Sequence, residues 1–169
     1  ASGVTALALG DDGRALFVAG HGQELWRLDA ARGVVRCARR ARALSLAVSP
    51  ASDRLAVATG VRVLLLDAAS LASRLVLGRR ADRLQAVAFS PDAREVVAGG
   101  SADGRGVVVV FDAATGRERR RLFVADDVTC VACSPDGRLV AAGDARGAAR
   151  VWALEDGEEV ARLQGPQQV

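Results

Sequence analysis

The chain has 169 residues, a mass of 17.5 kDa and a formal net charge of +3, so it is long enough to bury a hydrophobic core as one domain or segment. Half of its residues are hydrophobic and a quarter are charged, which excludes intrinsic disorder as the main state. No apolar run is long enough to predict a membrane span, and the mild charge does not require nucleic acid or an acidic membrane as partner.

A turn motif with a closing arginine recurs along the chain, and the closing arginines are 40, 40 and 44 residues apart. The four copies are residues 10–14, 49–54, 90–94 and 134–138. Leu28-Asp29, Leu66-Asp67, Phe111-Asp112 and Trp152-Ala153 recur at a similar spacing. Two independent markers with one period indicate four repeats, over about 1–40, 41–81, 82–125 and 126–169.

Each repeat predicts four short strands, as the third repeat illustrates. Its strands are expected over 84–89, 95–98, 107–111 and 119–124, with a long glycine-rich hairpin loop at 99–106. In the first strand, alternation places Leu84, Ala86 and Ala88 on one face, and Val87 and Phe89 on the other. Apolar residues on both faces indicate that each sheet is covered on both sides. Because no helical period appears, we predict an all-β protein built from four-stranded antiparallel units.

Several of these segments resemble the WD-repeat β-propeller family. The likeness lies in residues 87–92, 111–116 and 132–137 and in Val151-Trp152. It implies a β-propeller of four four-stranded antiparallel blades. Only Trp152 stands at the family's tryptophan position, and no repeat has the family's Gly-His pair ahead of its first strand, although Asp82 and Asp126 occupy the place of its structural aspartate. Stability is therefore expected to rest on apolar packing between blades.

The resemblance also implies an incomplete ring, because the family usually closes more than four blades. We expect this chain to be part of a larger propeller or to be completed by a second copy. In an open arc the two terminal blades expose apolar faces, and such faces normally mark an interface. Blades 1 and 4 are thus predicted to need partners, either missing blades or a homodimer.

No motif points to a catalytic, metal or cofactor site. Cys130 and Cys133 form a single C-x-x-C pair whose side chains alternate across a strand, so we interpret them as core thiols. His21, the only histidine, is expected in an exposed loop. The glycine-rich segment opens a strand, whereas a phosphate loop would open a helix. Three cysteines without a visible leader favour a reducing compartment, the cytoplasm or the nucleus.

The candidate partner-binding site is a rim of loops. In the family's geometry, the links between blades and the loops between second and third strands share one edge, which often binds partners. The residues expected there are His21, Arg39, Arg40, Arg42, Arg79, Arg80, Arg83, Arg105, Asp126, Asp127 and Arg146. Arginine pairs well with carboxylates and phosphates, although a merely solvated surface is the competing interpretation. The run 117–121 is interpreted as charge protecting an outer edge.

The resemblance implies a non-catalytic scaffold, without cofactor, that binds other proteins through these loops, with acidic partners favoured. One alternative is an arginine rim that binds nucleic acid or acidic lipid, which is weaker because no aromatic residues interleave with the basic ones. Another is a segment of an enzyme-associated or sensory propeller. Since propellers host many functions, the choice among these rests on analogy.

Overall fold

The computed structural model describes residues 3–10, 13–29, 31–79 and 82–164, and it arranges them in four antiparallel sheets. Blade 1 contains β1 (Val4–Leu9), β2 (Ala15–Gly20), β3 (Glu24–Asp29) and β4 (Val34–Arg40). Blade 2 contains β5 (Ser45–Val48), β6 (Arg54–Ala58), β7 (Val63–Asp67) and β8 (Ser73–Leu77). Blade 3 contains β9 (Arg83–Phe89), β10 (Glu95–Ala102), β11 (Arg105–Asp112) and β12 (Glu118–Val124). Blade 4 contains β13 (Val128–Cys133), β14 (Leu139–Asp144), β15 (Ala149–Ala153) and β16 (Glu159–Leu163).

The strands of every blade pair in simple sequence order, each antiparallel to the next. The predicted all-β fold with four four-stranded antiparallel sheets is confirmed. The first strands of successive blades contact one another, β1 with β5, β5 with β9 and β9 with β13. The first strands therefore form the inner side of the arc and the fourth strands its outer side.

The hydrophobic core is divided into three clusters, one between each pair of successive blades. Phe17 and Leu25 of blade 1 pack with Leu55 of blade 2. The second cluster joins blades 2 and 3 and includes Phe111. The third joins blades 3 and 4 around Trp152. Because each blade buries its apolar faces against its neighbours, stability depends on interfaces between repeats.

In blades 2, 3 and 4 the recurring turn motif closes the first hairpin through its serine and aspartate. In blade 3 the Ser90 hydroxyl donates to Asp92 Oδ1 over 2.6 Å and accepts from the Glu95 backbone N–H over 2.9 Å. In blade 2, Ser49 makes the same type of bond with Asp53, over 2.7 Å. Both serines are buried, which explains why a short hydroxyl side chain recurs at this position.

The predicted long loop at 99–106 is wrong. β10 and β11 continue through most of it, and Ala102 pairs with Arg105 across a turn of only Asp103 and Gly104. These two residues have φ values of 52° and 75°. Asp-Gly with two positive φ angles forms the tight turn that suits two twisted antiparallel strands, so the glycines before and after it remain in the sheet.

The predicted face of Leu84 is also wrong. Ala86 pairs with Gly99 and Leu84 with Gly100, so one extra residue of β9 bulges out between them. The bulge reverses the alternation, and Leu84 packs with Val87 in the cluster toward blade 2.

Candidate functional site

One edge of each sheet carries the features that the sequence predicted for a binding rim. In blade 1, Gly20 pairs with Glu24 and Glu24 with Arg40, so the His21 turn and the end of β4 lie at the same edge. In blade 3, Arg83 at the start of β9 pairs with Ser101, close to the Asp103-Gly104 turn. We call this edge, formed by the starts of the first strands, the turns between second and third strands and the ends of the fourth strands, the rim.

Six of the described rim arginines are exposed, and two of these, Arg79 and Arg146, form ion pairs. Among the described residues, Arg40, Arg42 and Arg83 form no ion pair. Arg105 lies at the start of β11, where its guanidinium covers the ring of the partly exposed Phe123 with 4.9 Å to the ring centre. These side chains leave their hydrogen-bond donors available to an acidic ligand.

Three other predicted rim arginines are engaged within the protein. Arg146 in the β14–β15 turn pairs over 2.8 Å with Asp126, which lies in the link between β12 and β13. Arg79 contacts Glu118 over 3.2 Å and so links the end of blade 2 to blade 3. The Arg39 guanidinium donates to the Leu71 carbonyl oxygen over 3.0 Å, which links blade 1 to blade 2. These three contacts hold loops and blades together.

The remaining predicted rim residues are His21, Asp127 and Arg80. His21 is exposed in its turn, and its ring lies beside Gly3. Asp127 is exposed, while its backbone carbonyl accepts a hydrogen bond from the Ala145 N–H over 2.9 Å. Arg80 lies outside the described residues.

A buried ion-pair cluster beneath the rim was not predicted from the sequence. Both carboxylate oxygens of Asp82, which is 2% exposed, accept from the Arg121 guanidinium, over 2.9 and 3.0 Å. Asp82 also accepts from the Arg79 backbone N–H over 2.7 Å, and Arg121 binds Glu118 over 2.8 Å. The sequence carried one signal for this cluster, the alignment of Asp82 with the family's structural aspartate. It did not indicate Arg121 as the partner, because Arg121 is 39 residues away along the chain.

The cluster shifts the ionisation of its members. Burial raises the pKa of Asp82, but the hydrogen bonds from Arg121 and the Arg79 N–H, with the charges of both arginines, outweigh burial and leave that pKa below its usual value. Hydrogen bonds from Arg121 lower the pKa of Glu118 despite its partial burial. Both groups are therefore held as carboxylates in the folded protein.

The run 117–121 does more than protect an edge. Arg119 pairs with Asp112 and with Glu95, inside its own blade. Arg120 donates to two backbone carbonyl oxygens of the β15–β16 turn, and Arg121 holds Asp82. The prediction of an outer strand is confirmed, since β12 is the outermost strand of its sheet. Its three arginines also form ion pairs or hydrogen bonds within the protein.

The two cysteines of the C-x-x-C motif have different environments. Cys133 packs against the cluster between blades 3 and 4, where burial and the nearby Glu95 and Asp92 raise the pKa of its thiol to about 11. Cys130 is exposed on the opposite face of β13, so its prediction as a core thiol is wrong. Two free thiols on opposite faces do not form a joint site.

A cleft of about 620 Å³ opens between blades 3 and 4, at the edge opposite the rim. Arg94, Glu95, Arg119, Arg138 and Asp156 contribute to its walls. Burial raises the pKa of Glu95, although the charge of Arg119, 3.3 Å away, opposes that shift. The buried charges in this cleft are thus paired with each other.

Comparison with known proteins bears on the fold and on one repeat. Residues 118–153 match the family described as WD domain, G-beta repeat. This segment of the chain is thus similar to a WD repeat. The matched segment runs from β12 to the end of β15, so it joins the outer strand of blade 3 to the first three strands of blade 4. The resemblance to WD-repeat propellers is confirmed.

A solved structure titled Kuenenia stuttgartiensis Hydrazine Synthase superposes on this chain with a TM-score of 0.85 at 20% sequence identity. The alignment covers 96% of this chain and 49% of that one, so this chain spans about half the length of that protein. At this identity the likeness shows the fold alone. No curated protein sequence matches the chain.

The described residues contain no group of three or more His, Cys, Asp or Glu side chains placed to hold a metal ion. Within the same residues, no helix has the length and apolar character needed to cross a membrane.

Proposed function

We propose that this chain is a non-catalytic scaffold that binds an acidic segment of a partner protein through the rim. The observation that carries the proposal is the set of exposed arginines without ion pairs, Arg40, Arg42 and Arg83, on an edge that also carries Arg105. Among the described residues, the other rim arginines are Arg39, Arg79 and Arg146, which make contacts within the protein. The proposed binding surface therefore consists of the four arginines without an ion pair.

Rigid display of these side chains supports specific binding. Each arginine stands at or beside the end of a strand of a paired sheet, and so little backbone ordering is required when a ligand binds. An arginine fork binds a carboxylate through two parallel hydrogen bonds, which suits aspartate and glutamate side chains of a partner. Complementary charge also accelerates encounter with an acidic partner.

Protein is favoured over nucleic acid because stacking platforms are scarce at the rim. Phe123 is the exposed aromatic residue that neighbours a rim arginine, and Arg105 already covers it. Sequence-tolerant binding of single strands normally uses several such rings. The free thiols Cys130 and Cys133 support placing the scaffold in a reducing compartment, the cytoplasm or the nucleus.

Charge reversal tests the rim directly. Arg40→Glu, Arg42→Glu and Arg83→Glu would be combined, and binding of a fluorescent glutamate-rich peptide would be followed by anisotropy. We expect at least a tenfold loss of affinity, since three charge-assisted contacts are reversed. The matched control combines Arg94→Glu, Arg117→Glu and Arg138→Glu, which change the same charge at the opposite edge.

Equal losses of affinity in the rim and control variants would show that the peptide responds only to the net charge of the protein. That result would refute the rim as a binding site. A single-stranded oligonucleotide and vesicles with anionic lipid serve as competing probes. Tighter binding of either probe than of the peptide, with a steep fall as salt rises, would replace the scaffold proposal with the nucleic-acid or lipid alternative.

A further inference from the structure

The three interfaces between blades obey one rule of side-chain size on their inner strands. Each blade presents small side chains to the blade that follows it and larger ones to the blade that precedes it. The small sets are Ala6 and Ala8, Ser45 and Ala47, and Ala86 and Ala88. The facing larger sets are Leu46 and Val48, Val87 and Phe89, and Val131 and Cys133. Large side chains thus fill the space that small ones leave in the preceding blade.

Blade 1 exposes a complete face of the larger type. Leu7 and Leu9 stand at the positions of Leu46 and Val48, and they are 59% and 62% exposed. Leu7 pairs with Val18 and Val18 with Trp26, so the apolar row continues across three strands. In the part of the chain that the structure describes, no segment covers these leucines.

Blade 4 exposes the complementary small face. Cys130 and Ala132 stand at the positions of Ala6 and Ala8, and both are exposed. Ala132 pairs with Ala141, which pairs with Val151 on β15, so the small apolar row also crosses the sheet. The face left open at one end of the chain therefore matches the face left open at the other end.

Hydrogen bonds between blades also indicate that the open faces of blades 1 and 4 are complementary. The bulged residue of β1, Thr5, donates to the Ala43 carbonyl of blade 2 over 2.9 Å. The bulged Gln85 of β9 donates to the corresponding Val128 carbonyl of blade 4 over 3.0 Å. Thr129 has the same bulged position in β13 and is exposed. Its hydroxyl lies 3.2 Å from the Gly143 carbonyl within blade 4, as the Thr5 hydroxyl lies 3.1 Å from the Ala19 carbonyl within blade 1. In blade 1, the carbonyl that corresponds to those of Ala43 and Val128 belongs to Val4.

We propose that a second copy of this chain occupies both open faces, and that two arcs form a ring of eight blades. Blade 4 of each copy packs on blade 1 of the other, with Ala132 against Leu7 and Leu9 and with the Thr129 hydroxyl donating to the Val4 carbonyl. The two contacts are equivalent by a twofold axis, and so they close without leaving a free face. Eight blades lie within the range of about 4 to 8 that propellers form.

The second copy is favoured over other occupants because the same chain carries both complementary faces. The new contact would repeat the size pattern of the three interfaces within the chain, and the hydrogen bond that two of them contain. The proposal is independent of the rim, whose arginines lie at the sheet edges and outside both open faces.

Sedimentation velocity over a range of micromolar concentrations tests the ring. The 169-residue chain is expected to give a species of twice the 17.5 kDa of one chain. Leu7→Glu in blade 1 and Ala132→Glu in blade 4 should each raise the dimer dissociation constant at least about 100-fold, because each change buries an unpaired charge. Val76→Glu is the matched control, since Val76 is 51% exposed on the outer strand of blade 2, and it should leave the dimer intact.

Mixing the two variants distinguishes this ring from other dimers. A Leu7→Glu chain and an Ala132→Glu chain can still join through one unaltered contact, so the mixture should contain dimers where each variant alone is monomeric. A mixture that stays monomeric would show that like faces meet and would overturn the proposal. A monomeric wild-type chain, or open polymers that Leu7→Glu dissolves, would also overturn it.

Two further measurements control for misfolding of the variants and for an effect of the rim. Circular dichroism must show the same sheet content for all variants, and Ala132→Glu serves alone if Leu7→Glu does not fold. Reversing the charge of Arg40, Arg42 and Arg83 should leave the dimer unchanged, so failure of the rim proposal and failure of the ring proposal are observed separately.

Discussion

Arg121 holds both carboxylate oxygens of Asp82, with N–O distances of 2.9 and 3.0 Å. This pair joins β12, the outer strand of blade 3, to the residue that precedes β9, the first strand of the same blade. It therefore ties the fourth strand of the blade to the start of its first strand. Asp82 is 2% exposed, and the Arg121 side chain is 12% exposed. The pair is therefore shielded from the solvent screening that weakens surface ion pairs.

Removing the guanidinium should destabilise the protein. Arg121→Met leaves the buried Asp82 carboxylate without its main partner, and we expect a loss of about 3 kcal/mol in the free energy of unfolding. Urea denaturation measures this change. Arg74→Met is the control, because Arg74 forms an exposed pair with Asp67 and its loss should matter much less. Equal effects of the two substitutions would contradict a special role for the buried pair.

The same cluster predicts acid sensitivity. Because the pKa values of Asp82 and Glu118 are lowered in the folded state, their contribution to stability is present above their unfolded pKa values, 3.8 and 4.5, and is lost as pH falls through the lower folded values. The free energy of unfolding should therefore decrease as pH falls below about 4.5. Urea titrations at several pH values measure the slope, and Arg121→Met should make it shallower. An unchanged slope in that variant would show that other carboxylates dominate.

Two glycines near one hairpin should respond differently to alanine. A Cβ at Gly100 would lie 1.9 Å from the Arg83 carbonyl oxygen, so Gly100→Ala must displace the β9 bulge. We expect a loss of about 3 kcal/mol or failure to fold. Gly104 has open space around it but a φ of 75°, so Gly104→Ala should cost only about 1 kcal/mol. Thermal or urea unfolding compares the two, and a milder effect at Gly100 would contradict the close packing of β9 on β10.

The thiols should react at different rates. In a Cys37→Ser background, iodoacetamide at pH 8 and low protein concentration should label the exposed Cys130 first. Cys133 should label far more slowly, because a pKa of about 11 leaves little thiolate at that pH and because the thiol is half-buried. Mass spectrometry of the peptides measures both rates. Fast labelling of Cys133 in the absence of urea would contradict its packing between blades 3 and 4.

The repeat architecture followed from the sequence because its determinants are local. The serine and aspartate of the turns in blades 2 to 4 act within a few residues of each other, as the bonds of Ser90 with Asp92 and Glu95 show. Alternating apolar residues then indicate strands that are covered on both sides. The edge on which the rim residues lie could also be anticipated, since strand order determines which turns share an edge.

The length of the β10–β11 hairpin and the face of Leu84 could not be anticipated in the same way. The composition of 99–106 is typical of a loop, but Gly100 and Gly106 lie where neighbouring backbone approaches the sheet closely. A single bulge in β9 then reversed the side of Leu84. Both features depend on how two strands fit together, and a single strand does not carry that information.

By itself, the sequence determined the period, the turns and the four-bladed arc, since these depend on contacts between residues that are close along the chain. Only the tertiary structure decided which arginines are available. Arg40, Arg42 and Arg83 remain exposed at the rim, whereas Arg39 and Arg79 contact the following blade. The physical reason is that each outer strand lies against the next blade, and this brings guanidinium groups to carbonyls and carboxylates more than 30 residues away.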